Sequence, residues 1–492
     1  MKRAATAVRK VAIVCHRWMG VAFCLLFLWW FVTGIFMMYW TYPEVSDADR
    51  LRHAPALDAA RIKLTPSDAA TAAGLTPTAL RLASFDGRPA YFLRAGGGSA
   101  IVYADTGELQ DVFPPQLNSR TAAAWTGQAA ASATVETVTE PDQWTLGIRR
   151  QLPLQKYTFA DGQQVYVSEE TGQVAQHTTR ASRIYAHLGA IPHWLYYTPL
   201  RVNGELWTRV VVWSSGIATL AALLGLIVGI WMWSPTQRYR HAGQPTSIPY
   251  TGQKRLHTIL GLFFGILAMT WAFSGMLSME PFTFARSPAS AAARDIQQAL
   301  GGRLQLERFA GQPPANILSG LGGVKELEYT SFAGTPVIHA KLSPADLRVI
   351  PASDARKDLP GIIRAAGGNA IEEMRTLEQY DRYYLDRTFE RPLPVIYLRL
   401  KDSTRLYIDP KTARVVGRYS ESTGAWVNRW LYHGLHSLDF PWLYNYRPAW
   451  DVVVLSLMLG CVWLCWTSMV LSWRVLKRKL GSRRAPSEDL AV

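Results

Sequence analysis

Four of the ten histidines occupy positions where an imidazole invites a chemical explanation. His16 and His257 each open an apolar run, and they lie 241 positions apart. His187 and His436 each stand five residues before a proline, Pro192 and Pro441, ahead of two further apolar runs. Ionisable groups at membrane depth are costly and usually face a bundle interior with a partner. A neutral imidazole offers one ring nitrogen to a metal. Two symmetric pairs, His16 with His257 and His187 with His436, therefore suit bis-imidazole ligation of two b-type haems, one near each membrane face. His433 precedes His436 by three residues on the same helical face, so either could be the ligand. His193 has Pro441 or Trp442 as its nearest counterpart and lacks symmetric support. His53, His177, His241 and His339 read as ordinary surface residues. Taken singly, any of the four is also readable as an interfacial helix-end residue with no ligand.

Other metal chemistry fits less well. No CxxCH motif is present, which excludes covalent haem attachment. Zinc or copper would call for tighter local clusters or thiolate ligands. Haem propionates want cations, and Arg17, Arg255, Arg183 and Arg429 stand near the four histidines. An orientation bias alone would also account for Arg17 and Arg255.

The elements that must position these residues follow from hydropathy. About 20 apolar residues cross the hydrocarbon of a bilayer, and four stretches qualify, 18–40, 207–233, 258–279 and 449–473. Aromatics crowd their ends, including Trp40, Trp231, Trp233, Trp450 and Trp473. The chain has 52 Lys plus Arg against 37 Asp plus Glu, a formal charge of +15. Nearly all of the excess sits before span one, between spans two and three, and after span four. Those segments hold fifteen bases against Glu488 and Asp489. Loops enriched in Lys and Arg are cytoplasmic, so both termini face the cytoplasm and nucleic acid drops out as a partner. The four cysteines, Cys15, Cys24, Cys461 and Cys465, all lie inside apolar runs, which leaves no disulfide framework.

The organisation is then a cytoplasmic N-terminus (1–17), span one (18–40), a periplasmic domain (41–206), span two (207–233), a cytoplasmic loop (234–257), span three (258–279), a second periplasmic domain (280–448), span four (449–473) and a cytoplasmic tail (474–492). An internal repeat runs through it. His16–Gly20 recurs as His257–Gly261, Trp30 as Trp271, Thr33-Gly34 as Ser274-Gly275 and Val165–Val167 as Leu406–Ile408, all at an offset of 241. The fold expected is a membrane protein with four transmembrane α-helices in two tandem repeats and two α+β extracytoplasmic domains. In those domains short alternating strands meet at turns such as Asp161-Gly162 and Asp402-Ser403, with helices near Ser67–Ala73 and Gly361–Gly367.

The hairpins ending in Tyr103–Gly107 and Tyr166–Gly172, the helix start His16–Gly20 and the motif Leu435–Pro441 resemble the PepSY-associated transmembrane family along nearly the whole chain. That resemblance implies an inner-membrane protein linked to iron uptake, similar to haem-bearing ferric-siderophore reductases. Its partners would be the lipid bilayer, an Fe(III)-siderophore or other iron chelate, and a quinol or cytoplasmic reductase as donor. The cytoplasmic segments are too short for a nicotinamide or flavin domain. Tyr380–Arg387 gathers aromatics and arginines, either as an acceptor surface or as a packed stretch. Trp29, Trp30 and Trp271 are candidate bridges between two haems, with packing the simpler role. The competing reading is a haem-free PepSY binding or sensing protein for a peptidase, a peptide or a cell-wall component.

Overall fold

The computed structural model describes residues 2–282, 290–350, 358–386 and 390–482; Arg387, Arg483, Arg484, Glu488 and Asp489 lie outside the described residues. The chain divides into a helical unit (Met1–Tyr42, Ala181–Arg286, Ser422–Val492) and a sheet unit (Pro43–Arg180, Ser287–Glu421).

The strands in chain order are β1 (Ala79–Phe85), β2 (Arg88–Ala95), β3 (Gly98–Tyr103), β4 (Leu109–Gln110), β5 (Thr134–Val138), β6 (Leu154–Thr158), β7 (Gln164–Ser168) and β8 (Val174–Thr178). They continue with β9 (Tyr239–His241), β10 (Gln244–Thr246), β11 (Glu326–Phe332), β12 (Thr335–Lys341), β13 (Leu347–Ile350), β14 (Ile371–Leu377), β15 (Val395–Leu400), β16 (Arg405–Asp409) and β17 (Arg414–Tyr419). The two outer segments do not give two separate sheets. β1 pairs antiparallel with β11, so one seven-stranded sheet runs β13-β12-β11-β1-β2-β3-β4. Its register is two-fold: Leu80 faces Tyr329, Leu82 faces Leu327, and Arg81 faces Glu328 between them. Arg81 also binds Glu326 at 3.0 Å. Leu80, Leu82, Leu327 and Ile338 are all buried in one core.

Two four-stranded meanders complete the unit, β5-β6-β7-β8 and β14-β15-β16-β17. The pairing of the third and fourth strands shifts register in both, opposite Tyr166/Val167 and opposite Tyr407/Ile408, with the extra residue on the fourth strand. In each, the strand tyrosine donates to an aspartate, Tyr166 Oη to Asp142 Oδ2 at 2.7 Å and Tyr407 Oη to Asp381 Oδ2 at 2.9 Å. Asp142 Oδ1 also accepts from the amides of Trp144 and Thr145, and Asp381 Oδ1 from those of Tyr383 and Tyr384. The helices expected near Ser67 and Gly361 form as Pro66–Ala73 and Leu359–Gly367. The first opens on a reciprocal cap between Thr65 and Asp68, which satisfies two orphan amides.

His339 departs from the surface role read in the sequence. It lies fully buried on β12. Val337 and Phe332 bring the helices Ala291–Leu300 and Leu359–Gly367 over that face of the sheet, so the β11–β12 hairpin is covered on both sides.

In the helical unit four helices are long and apolar enough to cross a membrane: α1 (Lys2–Met37), α2 (Gly204–Met232), α3 (Gly252–Leu277) and α4 (Ala449–Ser482). α1 starts well before residue 18 because no Gly or Pro interrupts the chain until Gly20. It ends at Met37, so Trp40 lies beyond it. Asn203 caps α2 by accepting from the Leu206 amide at 2.9 Å. Each helix packs on the next in chain order, and α4 returns to α1, so α1 faces α3 across the bundle. Small residues permit the close approaches. A Cβ on Gly460 of α4 would stand 2.2 Å from the Phe264 ring of α3, and one on Gly265 3.0 Å from Leu226.

Candidate functional site

The diagonal helices α1 and α3 each bring one histidine to the bundle interior. The His16 and His257 rings have centroids 6.3 Å apart with planes inclined by 28°. Each ring is tethered through Nδ1. His16 Nδ1 lies 3.1 Å from the Ala221 carbonyl of α2, and His257 Nδ1 lies 3.0 Å from Thr467 Oγ1 of α4. Thr467 donates its own proton to the Leu464 carbonyl at 2.7 Å, so toward His257 it accepts. Both Nδ1 atoms therefore carry the proton and both Nε2 atoms keep a lone pair. This is how an outer hydrogen bond fixes the tautomer of a metal-binding histidine. Gly225 makes room for the first ring: a Cβ there would sit 2.5 Å from His16 Cε1.

Seventeen residues along the same two helices, about 25 Å of helix rise, lies a second station marked by Thr33 and Ser274. There the structure brings together His193 and His436, with centroids 6.0 Å apart and planes at 73°. His193 Nδ1 lies 3.1 Å from the Trp30 carbonyl and 3.1 Å from Thr33 Oγ1. His436 Nδ1 lies 3.1 Å from Ser274 Oγ, which donates to the Trp271 carbonyl. Gly34 and Gly275 keep the walls open, since added Cβ atoms would stand 3.4 and 3.7 Å from Cε1 of His193 and His436.

This corrects the pairing expected for His187. His187 is exposed on the helix Arg180–Leu188, with Nδ1 2.8 Å from the Arg183 carbonyl of its own helix. The partner facing His436 is His193. The alignment on prolines misled because the two prolines play different parts. Pro192 lies inside the short helix Ala190–His193, whereas Pro441 opens the next one, Pro441–Tyr444. Around the second station the offset is 243, not 241 or 249. His193 corresponds to His436, and Leu195 and Leu438 both adopt φ of 52°. Trp207 Nε1 bonds the Trp194 carbonyl as Trp450 Nε1 bonds that of Ser437. The preceding segment Val427–Gly434 is wound as a π-helix, a usual place for extra residues to be absorbed. The recurring triplet His-x-Leu, shared by His193 and His436 and also by His433, was the available signal. His433 stays at the margin, with its side chain 45% exposed and Nδ1 3.8 Å from Asp439 Oδ2.

Each pair could hold a group that takes two imidazole ligands, since ring centroids 6.3 and 6.0 Å apart leave room for two metal–nitrogen bonds of about 2.0–2.1 Å. No group of three or more His, Cys, Asp or Glu that could hold a metal ion occurs among the described residues. A cavity of about 680 Å³ opens at His16 and His257, walled by Gly20, Gly225, Gly229, Gly261 and Gly265. Near the other station the buried Trp271 Nε1 has no hydrogen-bond partner among the described residues.

Of the cations named in the sequence, Arg17 lines the cavity, whereas Arg255 is held by Thr246 Oγ1 at 3.0 Å. Arg429 is buried, donates to the Asp439 carbonyl at 2.6 Å and stacks over Trp430. Trp271 is buried against Phe31, whereas Trp29 is about half exposed. In the sheet unit Tyr380 and Tyr384 are core residues that donate to the carbonyls of Arg391 and Pro392, which favours the packed reading of that stretch.

Four membrane-length helices and sheet-bearing α+β regions define a polytopic membrane protein. The family model described as the PepSY-associated TM region matches residues 14–474, and the chain belongs to that family. No curated protein matches it.

Proposed function

We propose that this chain is a two-haem electron-transfer protein of the bacterial inner membrane, built from two tandem repeats, that reduces a ferric siderophore or another Fe(III) chelate on the periplasmic side. The carrying observation is that four imidazoles form two pairs 6.3 and 6.0 Å apart, each with Nδ1 next to a carbonyl or hydroxyl oxygen. Haem b, when bound, supplies reversible one-electron chemistry at iron. His16 and His257 would hold one and His193 and His436 the other. Ala221, Thr467, Trp30, Thr33 and Ser274 hold the Nδ1 side of the rings and so fix their tautomer. Phe27, Phe31, Ala268, Trp271, Cys461 and Cys465 fill the bundle between the stations and keep water out.

The basic residues in the first half of α1, between α2 and the first turn of α3, and at the end of α4 support placing both termini in the cytoplasm. A quinol or a separate cytoplasmic reductase is the donor. The offset of 241 shared by His16–His257 and the meander strands at Tyr166 and Tyr407, and the nearby offset of 243 at the second station, support the duplication.

The test is a spectrum and a count. Full-length protein purified from haem-sufficient cells should show a Soret band that sharpens with dithionite and about two haems per chain by pyridine haemochrome. Once reduced, it should be reoxidised by a ferric siderophore, with Fe(II) captured by ferrozine. A folded but colourless preparation overturns the proposal and leaves a membrane-anchored binding or sensing protein.

A further inference from the structure

Five basic side chains converge on one end of the His16–His257 cavity: Arg17 from α1, Lys254 from α3, and Arg474, Lys477 and Arg478 from α4. The topology explains the convergence. α1 and α3 begin at the end where α4 finishes; Lys254 is one turn before His257, and Arg474 is two turns beyond Thr467. Among the described residues no Asp or Glu lines the cavity, and none of the five has an ion pair. The opposite end is apolar, with Val21, Cys24, Phe27 and Ala268. The space is thus graded: glycine-walled and apolar where the chain is deepest, cationic at its rim. Cations crowded at one place repel each other, and an anion among them relieves that repulsion.

We propose that this rim is a carboxylate clamp, with Arg17, Lys254 and Arg474 at its centre, for the acid edge of a flat, apolar, dicarboxylate ring compound. It rests on reading the cavity as a haem site and goes beyond that reading by fixing which edge enters last and which side chains hold it. Guanidinium groups pair carboxylates bidentately, and such charge-assisted bonds are about twice as strong as neutral ones. The clamp therefore orients the plate as well as retaining it. The cations also favour the reduced, more negative state of whatever they surround.

The experiment compares haemin with haemin dimethyl ester, added to full-length apoprotein from haem-deficient cells. Wild type should prefer the free acid at one of its two sites by about tenfold or more, the effect of losing one or two charge-assisted bonds. In Arg17→Gln/Lys254→Gln/Arg474→Gln that preference should vanish. One of the two midpoint potentials should fall while the other stays, and haem at His193–His436 should remain. Two bound haems with no ester discrimination in the wild type overturn the clamp alone, and that comparison needs no variant to fold. A variant that instead loses co-purifying phospholipid phosphate, with ester discrimination intact, assigns the rim to lipid headgroups and also overturns it. A wild type that binds neither compound overturns the parent reading and the clamp together.

Discussion

Replacing His193 by alanine separates the geometry from the sequence pattern, because His187 was the residue the pattern favoured. In the structure His193 faces His436 at 6.0 Å, whereas His187 is exposed on its own helix. His193→Ala should leave about one haem per chain instead of two, and the Soret absorbance per chain should halve. The fold should survive. The Trp30 carbonyl that His193 approaches also accepts from Thr33 Oγ1 at 3.2 Å, so it is not stranded. The loss is then about one net hydrogen bond, roughly 1 kcal/mol, plus the packing of one ring. His187→Ala gives up an exposed helix contact and should stay within about 0.5 kcal/mol, with both haems retained. Pyridine haemochrome counts on detergent-purified protein, beside thermal melts, read both quantities. Loss of haem from His187→Ala with two haems kept in His193→Ala would refute the reasoning.

Gly225→Ala places a methyl group 2.5 Å from His16 Cε1; overpacking of this kind costs about 1–3 kcal/mol, and one haem should be lost while the other remains, read by haem count and redox titration. Asp381→Ala strands the hydroxyl of buried Tyr407 and the amides of Tyr383 and Tyr384. Urea unfolding of the sheet unit should shift by about 2–4 kcal/mol with haem content unchanged. Burial works to raise the Glu328 carboxyl, but the Arg414 hydrogen bond and the Lys341 charge outweigh it and hold the group down at about 2. A carboxyl depressed in the fold adds stability above its unfolded value, here 4.5, and loses it as pH falls toward 2. Melting of the sheet unit should therefore weaken through that window by up to the order of 3 kcal/mol. Glu328→Gln should flatten that part of the curve, and an unchanged pH profile would count against the ion cluster.

Spans, hairpins and the His16–His257 pair are readable in the sequence because each rests on a local or evenly spaced signal. Apolar runs of membrane length report burial in lipid directly, and alternation around Asp161-Gly162 reports a hairpin. His16 and His257 keep the same offset as the helices that carry them. The seven-stranded sheet is not readable in that way. Whether β1 ends free or pairs with β11 depends on Leu80, Leu82, Leu327 and Tyr329 meeting across some 250 residues, and nothing in either strand marks the other. The His193–His436 station was hidden by a two-residue change of register. The prolines offered a tidy alignment that the backbone does not follow. Leucine at φ of 52° two residues after each histidine is what ties the segments together, and an unfavourable φ for Leu leaves no mark in hydropathy.

The distribution of polar contacts supports the proposed redox role over that of a plain anchor. A helical anchor needs no imidazole in its interior, and one placed there without purpose would drift to the interface where water can satisfy it. Here the buried hydroxyls of Thr33, Ser274 and Thr467 each meet a histidine Nδ1. They stand at two levels, and the core cluster between them is aromatic, aliphatic and thiol. Such placement gives one nitrogen of each ring a partner from the protein itself, as a polar group at membrane depth requires. The tethered histidines stand at two levels separated by a largely apolar interval, the spacing that the two-haem proposal needs. Loss of either level by a single substitution, with the other intact, follows from that separation.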